Sequence, residues 1–165
     1  MKLIQESVFL TEIIFQADLV LHSYERLKKS VDESDNLGTW SAIQSILISS
    51  GNISKILWPK RKYKERGEEL RKLLNIDSKC ILKSRKFRNK FEHYDDFIDD
   101  YFKNKTSYSY TDFVMNPSLQ LSGRSCHRGY NTYNNTLLIH GEMLDLNEIL
   151  ETVKNVRLKC KSLFF

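Results

Sequence analysis

Apolar residues recur along this chain in steps of three and four, the spacing of one helical face. Leu10, Ile13, Ala17, Val20, Tyr24 and Leu27 carry the first such stripe and predict a helix over about 3–30. The polar run Asp32-Glu33-Ser34-Asp35-Asn36 ends it. Trp40, Ile43, Leu47 and Ile56 predict a second helix over about 39–57, bent at Gly51-Asn52. Pro59 closes it, because proline lacks an amide donor and clashes with the turn before it. Leu70, Leu73 and Leu74 anchor a shorter third helix over about 62–74, and Asp77 or Ser78 is a natural N-cap for a fourth.

The fourth helix is expected to run unbroken over about 81–102, with Phe87, Phe91, Tyr94 and Ile98 on its oily side. From about 105 to 141 the texture changes to Ser, Thr, Tyr, Asn and Gly, punctuated by Pro117 and Gly123. Asn134-Asn135 signals a turn, and 136–140 reads as a short strand with a partner near 118–121. Asp145-Leu-Asn-Glu148 fits a capping box, in which each end residue satisfies the other's free amide. A last helix follows to about Ser162 on Leu146, Ile149, Val153, Val156 and Cys160. The pattern predicts an all-α fold: one domain over 1–165, a bundle of about five helices with a short irregular or β-hairpin insertion at about 105–141.

Composition narrows the class. A chain of 165 residues suits one compact domain. Lys and Arg exceed Asp and Glu by 26 to 21, a net charge of +5, which permits an anionic partner such as RNA without demanding one. Gln5, Glu6, Glu12, Gln16 and Asp18 interrupt the oily first helix, so no apolar run approaches the ~20 residues of a bilayer span. With no signal-peptide pattern either, a soluble cytoplasmic protein without a membrane partner is expected. Cys80, Cys126 and Cys160 are odd in number and far apart, which predicts reduced thiols and no structural metal. No P-loop, Gly-rich cradle or G-x-S-x-G elbow is present, and no cofactor is implied.

The candidate chemistry lies on the fourth predicted helix. Asn89, His93, Asp96 and Asp100 follow each other by four, three and four, which places them on one ridge. Arg88 and His93 are five apart, about 140° around the axis, and a long arginine can still swing toward the histidine. An imidazole takes or gives a proton near neutral pH, and a fixed guanidinium neutralises charge growing on phosphoryl oxygens. Those are the needs of RNA cleavage by 2′-hydroxyl attack without a metal. Asn89 can hold the imidazole or the ribose. The plainer alternative is an ordinary Arg88–Glu92 pair beside a solvated His93.

The segment Arg88-Asn89-Lys90-Phe91-Glu92-His93 resembles the motif of HEPN-domain ribonucleases. In that motif an arginine followed by a polar residue stands four to six residues ahead of a histidine. The resemblance implies an α-helical bundle that dimerises through its motif helices. It implies an endoribonuclease of the kind found among prokaryotic toxins and antiviral-defence effectors, with an antitoxin or regulatory protein as possible partner. On it Arg88 and His93 carry over as catalytic and Asn89 as the motif's polar position. Some members carry, two residues after the histidine, a tyrosine that a partner adenylylates. Asp95 stands there in this chain, so the resemblance does not extend to that switch. A HEPN-like module that binds a nucleotide or protein without cleaving is the other reading.

Charge supplies an independent argument for a dimer. Lys79, Lys83, Arg85, Lys86, Arg88 and Lys90 crowd the first half of the fourth predicted helix, and Glu92, Asp95, Asp96, Asp99 and Asp100 the second. That order opposes the helix dipole. Two antiparallel copies would cover each basic half with the other's acidic half, so a homodimer through 81–102 is expected. Lys60, Arg61 and Lys62, with Arg85 and Lys86 beside the motif, are candidate RNA-phosphate contacts, and Trp58 or Tyr63 could stack on a base. Tyr108, Tyr110, Tyr130, Tyr133, Arg124 and Arg128 suit either a binding surface or a loop packed on its own domain. His127 and His140 show no partner in the sequence and receive no role.

Overall fold

The computed structural model describes residues 2–104, 110–117 and 126–164. Its helices are α1 (Lys2–Asp32), α2 (Asn36–Leu57), α3 (Lys64–Leu73), α4 (Lys86–Glu92), α5 (Tyr94–Asn104) and α6 (Leu146–Lys161). Its strands are β1 (Val114–Met115), β2 (Arg128–Asn131), β3 (Thr136–Ile139) and β4 (Glu142–Asp145). Single 3-10 turns stand at Arg61–Tyr63 and Ile81–Lys83. The described residues are mostly helical, with a four-stranded sheet before the last helix. The chain divides into two compact units, Met1–Arg85 with Glu148–Phe165, and Lys86–Asn147. The second unit therefore starts well ahead of residue 105 and takes in two helices as well as the sheet.

In the first unit α1 and α2 pack along each other. Ile13, Ala17, Val20 and Leu27 face Ile43, Ile46, Leu47 and Ile53 as the bulk of its buried apolar residues. The polar run between them makes the turn, with Ser34 at φ 56°. Asp35 caps α2 by accepting from the Gly38 amide at 2.9 Å. α2 continues through Gly51-Asn52 and stops ahead of Pro59. Leu70 and Leu74 are buried, but Leu73 is 45 % exposed and anchors nothing. A step of four from Leu70 stays on the buried stripe, while a step of three falls off its edge. On α6 Ile149, Val153, Val156 and Cys160 are buried, and Arg157 holds Asp18 at 2.5 Å.

In the second unit the sheet order is β1-β2-β3-β4, with β1 parallel to β2 and the other pairs antiparallel. The strand expected at 136–140 is β3, but it lies between two partners, so the insertion is a sheet and not a lone hairpin. The partner expected near 118–121 lies outside the described residues. Asn134-Asn135 do turn the chain: Asn135 sits at φ 55° and accepts from the Tyr130 hydroxyl at 2.7 Å. Leu137, Ile139 and Leu146 are fully buried here. At the start of α6 Asp145 accepts from the Asn147 amide at 2.8 Å, an N-terminal cap two residues on.

The fourth helix is not one element. Residues 81–83 form only a 3-10 turn, α4 has seven residues, and the helix restarts at Tyr94 after His93. The restart places Asp95 and Asp96 in the first turn of α5 and Lys103 in its last, the order the helix dipole favours. On α4 Lys86 and Lys90 both reach Glu142 of β4, Lys90 at 2.7 Å. The charge order that opposed a single long helix is thus split between two shorter ones, and two of its lysines pair within the chain.

Candidate functional site

The His93 amide still donates to the Asn89 carbonyl at 2.9 Å, so α4 delivers the imidazole one helical turn beyond Asn89 before the chain breaks. His93 is 68 % exposed, with Nδ1 4.0 Å from an Asp96 carboxylate oxygen. Arg88 turns the other way. Its Nη2 pairs with Glu92 at 2.8 Å and its Nη1 donates to Asn89 Oδ1 at 2.9 Å, while its buried Nε has no hydrogen-bond partner among the described residues. Asn89 therefore touches the guanidinium directly and faces the histidine's side of α4 with its own ridge.

That ridge lines a cleft of about 430 Å³. Asn89, Lys90 and His93 line it from α4 and the junction, Asp96, Phe97 and Asp100 from α5, and His140 from the sheet. All four residues placed on one ridge by their spacing meet there, whereas Arg88 is not among the lining residues.

Behind Phe97 lies a group to which the sequence pattern assigns no role. His140 stacks on Phe97, ring centroids 3.7 Å apart and planes at 11°, and His127 lies 4.4 Å from Phe97 and 4.8 Å from His140. His127 is fully buried, its Nδ1 2.6 Å from the Tyr110 hydroxyl and 3.5 Å from Asp112. Asp112 grips Arg128, whose guanidinium also rests on the rings of Phe91, Tyr94 and Phe113. Burial pushes the His127 pKa down to about 4, and the nearby Asp112 charge only partly offsets it. Burial likewise takes His140 down to about 4, helped by the positive charges of His127, Lys90 and Arg128. Burial and the Asp112 charge push Tyr110 up to about 12. Burial works against the Asp112 carboxylate, yet the hydrogen bonds and charge of Arg128 outweigh it and hold its pKa below the ordinary range. The signal available in the sequence was the pair of histidines flanking a strand–turn–strand pattern, each next to a turn or bend.

Tyr130 is 3 % exposed and Arg128 7 %, so they belong to the interior rather than to a binding surface. Tyr108 and Arg124 lie outside the described residues. Tyr133 is 90 % exposed.

Of the distant cations, Lys60, Arg61 and Lys62 are all exposed around the 3-10 turn that precedes α3, and Lys62 lies over the Tyr63 ring at 5.4 Å. Only Arg61 of the three lines the neighbouring cavity of about 370 Å³ in the first unit. Lys64, Arg71 and Lys83 line it too, with Trp58 as its aromatic wall and no carboxylate among the lining residues. Arg71 rests over the Trp58 ring at 5.4 Å and donates to the Leu57 carbonyl. Arg85 is half-buried ahead of α4, and Lys86 is committed to Glu142, whose pKa the two lysines' hydrogen bonds bring down to about 2.

Ligand atoms of His93, Asp95 and Asp96 lie within 4.8 Å of one another, all on exposed side chains. Asp95 and Asp96 already have a reason to stand there, in the first turn of α5, and three exposed groups do not enclose an ion. Comparison of the chain with protein-family models, curated proteins and solved structures finds no match in any of the three.

Proposed function

We propose that this chain is a HEPN-like endoribonuclease that cleaves RNA by 2′-hydroxyl attack without a metal. It acts in the cytoplasm as a toxin or defence effector held in check by a partner protein. The finer architecture belongs to the same proposal, a HEPN-type helical bundle with the sheet inserted before its last helix. One observation carries the reading: Asn89 holds Arg88 at 2.9 Å and shares a cleft with His93. The three motif residues are thereby linked through the middle one. A cleft of about 430 Å³ has room for a nucleotide-sized segment of a strand.

In this mechanism His93 moves a proton at the scissile phosphate. Arg88 stabilises the charge that grows on the phosphoryl oxygens, and Asn89 orients it. Arg88 must leave Glu92 to do so; that pair is two-thirds or more buried on both sides, with 22 % and 33 % of the side chains exposed. A strand's phosphodiester carries the same single charge as the carboxylate, and the second charge that grows on its oxygens in the transition state draws the guanidinium to it.

The Arg88–Glu92 pair also favours a second reading, a non-catalytic module that binds a nucleotide or a protein, because the guanidinium is already neutralised. One assay separates the two. Purified protein is incubated with end-labelled RNA in EDTA, and products are tested for 2′,3′-cyclic phosphate and 5′-hydroxyl ends. Cleavage by the native chain, abolished in His93→Ala and in Arg88→Ala with helical content unchanged, supports the nuclease. Binding without cleavage supports the module. Native-level cleavage by either variant rejects the catalytic assignment.

A further inference from the structure

We infer that His140 is a second proton-transfer group of this cleft, acting opposite His93 within one and the same chain. The inference rests on the proposal that the cleft receives RNA.

The backbone is the first observation. His140 and Gly141 form the two-residue turn between β3 and β4, with φ of 51° and 75°. Both residues are left-handed, as the tight hairpin turn of this length requires, and Asn-Gly is the pair that suits it best. A histidine in that conformation costs roughly 1 kcal/mol or more. Strain of this kind clusters where a side chain is needed in a fixed place.

The ring is fixed. It lies flat on Phe97 at 3.7 Å and lines the cleft with Asn89 and His93. The backbone amide of His140 is tied to the His127 carbonyl at 2.9 Å, which extends the β2–β3 ladder to the turn. Its Nε2 is buried and has no hydrogen-bond partner among the described residues, which leaves Nδ1 as the nitrogen able to take a proton from the cleft. An imidazole nitrogen left so costs stability, and a residue chosen for packing alone would be apolar there.

The chemistry needs two such groups. Attack by the 2′-oxygen on phosphorus requires that its proton go to a base. Departure of the 5′-oxygen, as the P–O5′ bond breaks, requires a proton from an acid. His140 takes the first proton and His93 gives the second, so the pair ends with its protons exchanged and no other reactant consumed. Their surroundings suit these roles. His140 is flanked by His127, Lys90 and Arg128, opposed by Glu142 alone, and half out of water, so it stays neutral and ready to accept. His93 stands in solvent, its Nδ1 4.0 Å from an Asp96 carboxylate oxygen. No second subunit is then required to supply the missing imidazole.

The test is single-turnover cleavage of labelled RNA by the full chain across pH. His140→Gly fits the left-handed turn and opens a hole, and His140→Phe keeps the stack on Phe97. Both should cleave roughly 10²–10⁴-fold more slowly than the native chain. Both should lose the acid limb of the pH profile, and added imidazole should restore part of the rate to His140→Gly but none to His140→Phe. If His140→Gly cleaves like the native chain while His93→Ala is dead, the nuclease stands and the role of His140 falls. Slow cleavage with an unshifted pH profile and no rescue makes His140 a structural residue and overturns the inference as well. Absence of cleavage by the native chain removes the nuclease reading and this one with it.

Discussion

Arg128 and Asp112 meet in two parallel hydrogen bonds, Nε to Oδ1 at 2.9 Å and Nη2 to Oδ2 at 2.6 Å. Arg128 is 7 % exposed, so this pair is deep enough that neither partner can be deleted cheaply. Asp112→Asn leaves an uncompensated guanidinium inside the second unit and should cost about 3 kcal/mol in urea unfolding. Asp112→Leu combined with Arg128→Met, apolar on both sides, should recover much of that loss. An Asp112→Asn midpoint equal to the native one would remove the pair from the account of stability.

The buried imidazoles give stability a slope with pH. His127 and His140 have pKa values of about 4 in the fold against an ordinary value of about 6.5, so the unfolded chain binds more protons between those limits. Stability contributed by the neutral rings is complete above pH 6.5 and drains away as the pH falls toward 4. Asp112 and Glu142, whose carboxylate pKa values are also depressed, act in the same direction at the lower end. Thermal midpoints should therefore drop steadily from pH 7 to pH 4. His127→Phe, which forfeits the Tyr110 hydrogen bond, should start lower and fall less steeply. A slope unchanged by that substitution would show that the protons enter elsewhere.

Gly67 sits in α3 where a Cβ would meet the Leu57 carbonyl at 2.8 Å and the Pro59 ring. Neither neighbour is the end of a flexible side chain, and the Leu57 carbonyl also accepts from Arg71. Gly67→Ala, a change that strengthens most exposed helices, should here destabilise by roughly 1–3 kcal/mol. Chemical denaturation measures it, and a stabilised variant would mean that the α2–α3 corner yields more readily than its backbone contacts allow.

Arg61 and Lys83 line the basic cavity of the first unit, while Lys60 and Lys62 lie on the same stretch of chain without lining it. If RNA phosphates sit in that cavity, Arg61→Gln and Lys83→Gln should each lower the slope of log affinity against log salt by about 1. Lys60→Gln and Lys62→Gln should change it less. Equal effects from all four would reduce the cavity to one part of a diffuse positive field.

With Lys86 and Lys90 held by Glu142 and Asp95 and Asp96 matched to the first turn of α5, less of this charge is left for pairing between chains. Sedimentation at low and at high salt should return the same distribution of species. A dimer at low salt that dissolves at high salt would restore the antiparallel arrangement.

Local periodicity made part of this molecule readable in advance. Ile13, Ala17, Val20, Ile43, Val153 and Val156 are buried because a 3.6-residue period is written in the residues themselves. Pro59 and Asn134-Asn135 punctuate the chain by their own stereochemistry. The ridge of Asn89, His93, Asp96 and Asp100 was legible for the same reason, and it lines one cleft. The break at His93 was not, since Phe87, Phe91, Tyr94 and Ile98 keep helical spacing straight through it with no Gly or Pro. Lys90, three residues before the break, is tied to Glu142 fifty-two residues away, a contact that no window of sequence contains. The sheet escaped for a related reason: β1 has two residues, the other strands have four each, and short strands depend on partners far along the chain. His140 was invisible as a site residue because its placement depends on a left-handed backbone turn and not on any motif.

The joint at His93 bears on how this motif tolerates change. Within a continuous helix one inserted residue swings everything downstream by about 100°. Here α4 ends at Glu92 and α5 begins at Tyr94, so His93 is the whole joint, and a residue gained or lost ahead of it falls within α4. A change in the arginine-to-histidine interval would therefore rotate His93 away from the ridge it shares with Asn89.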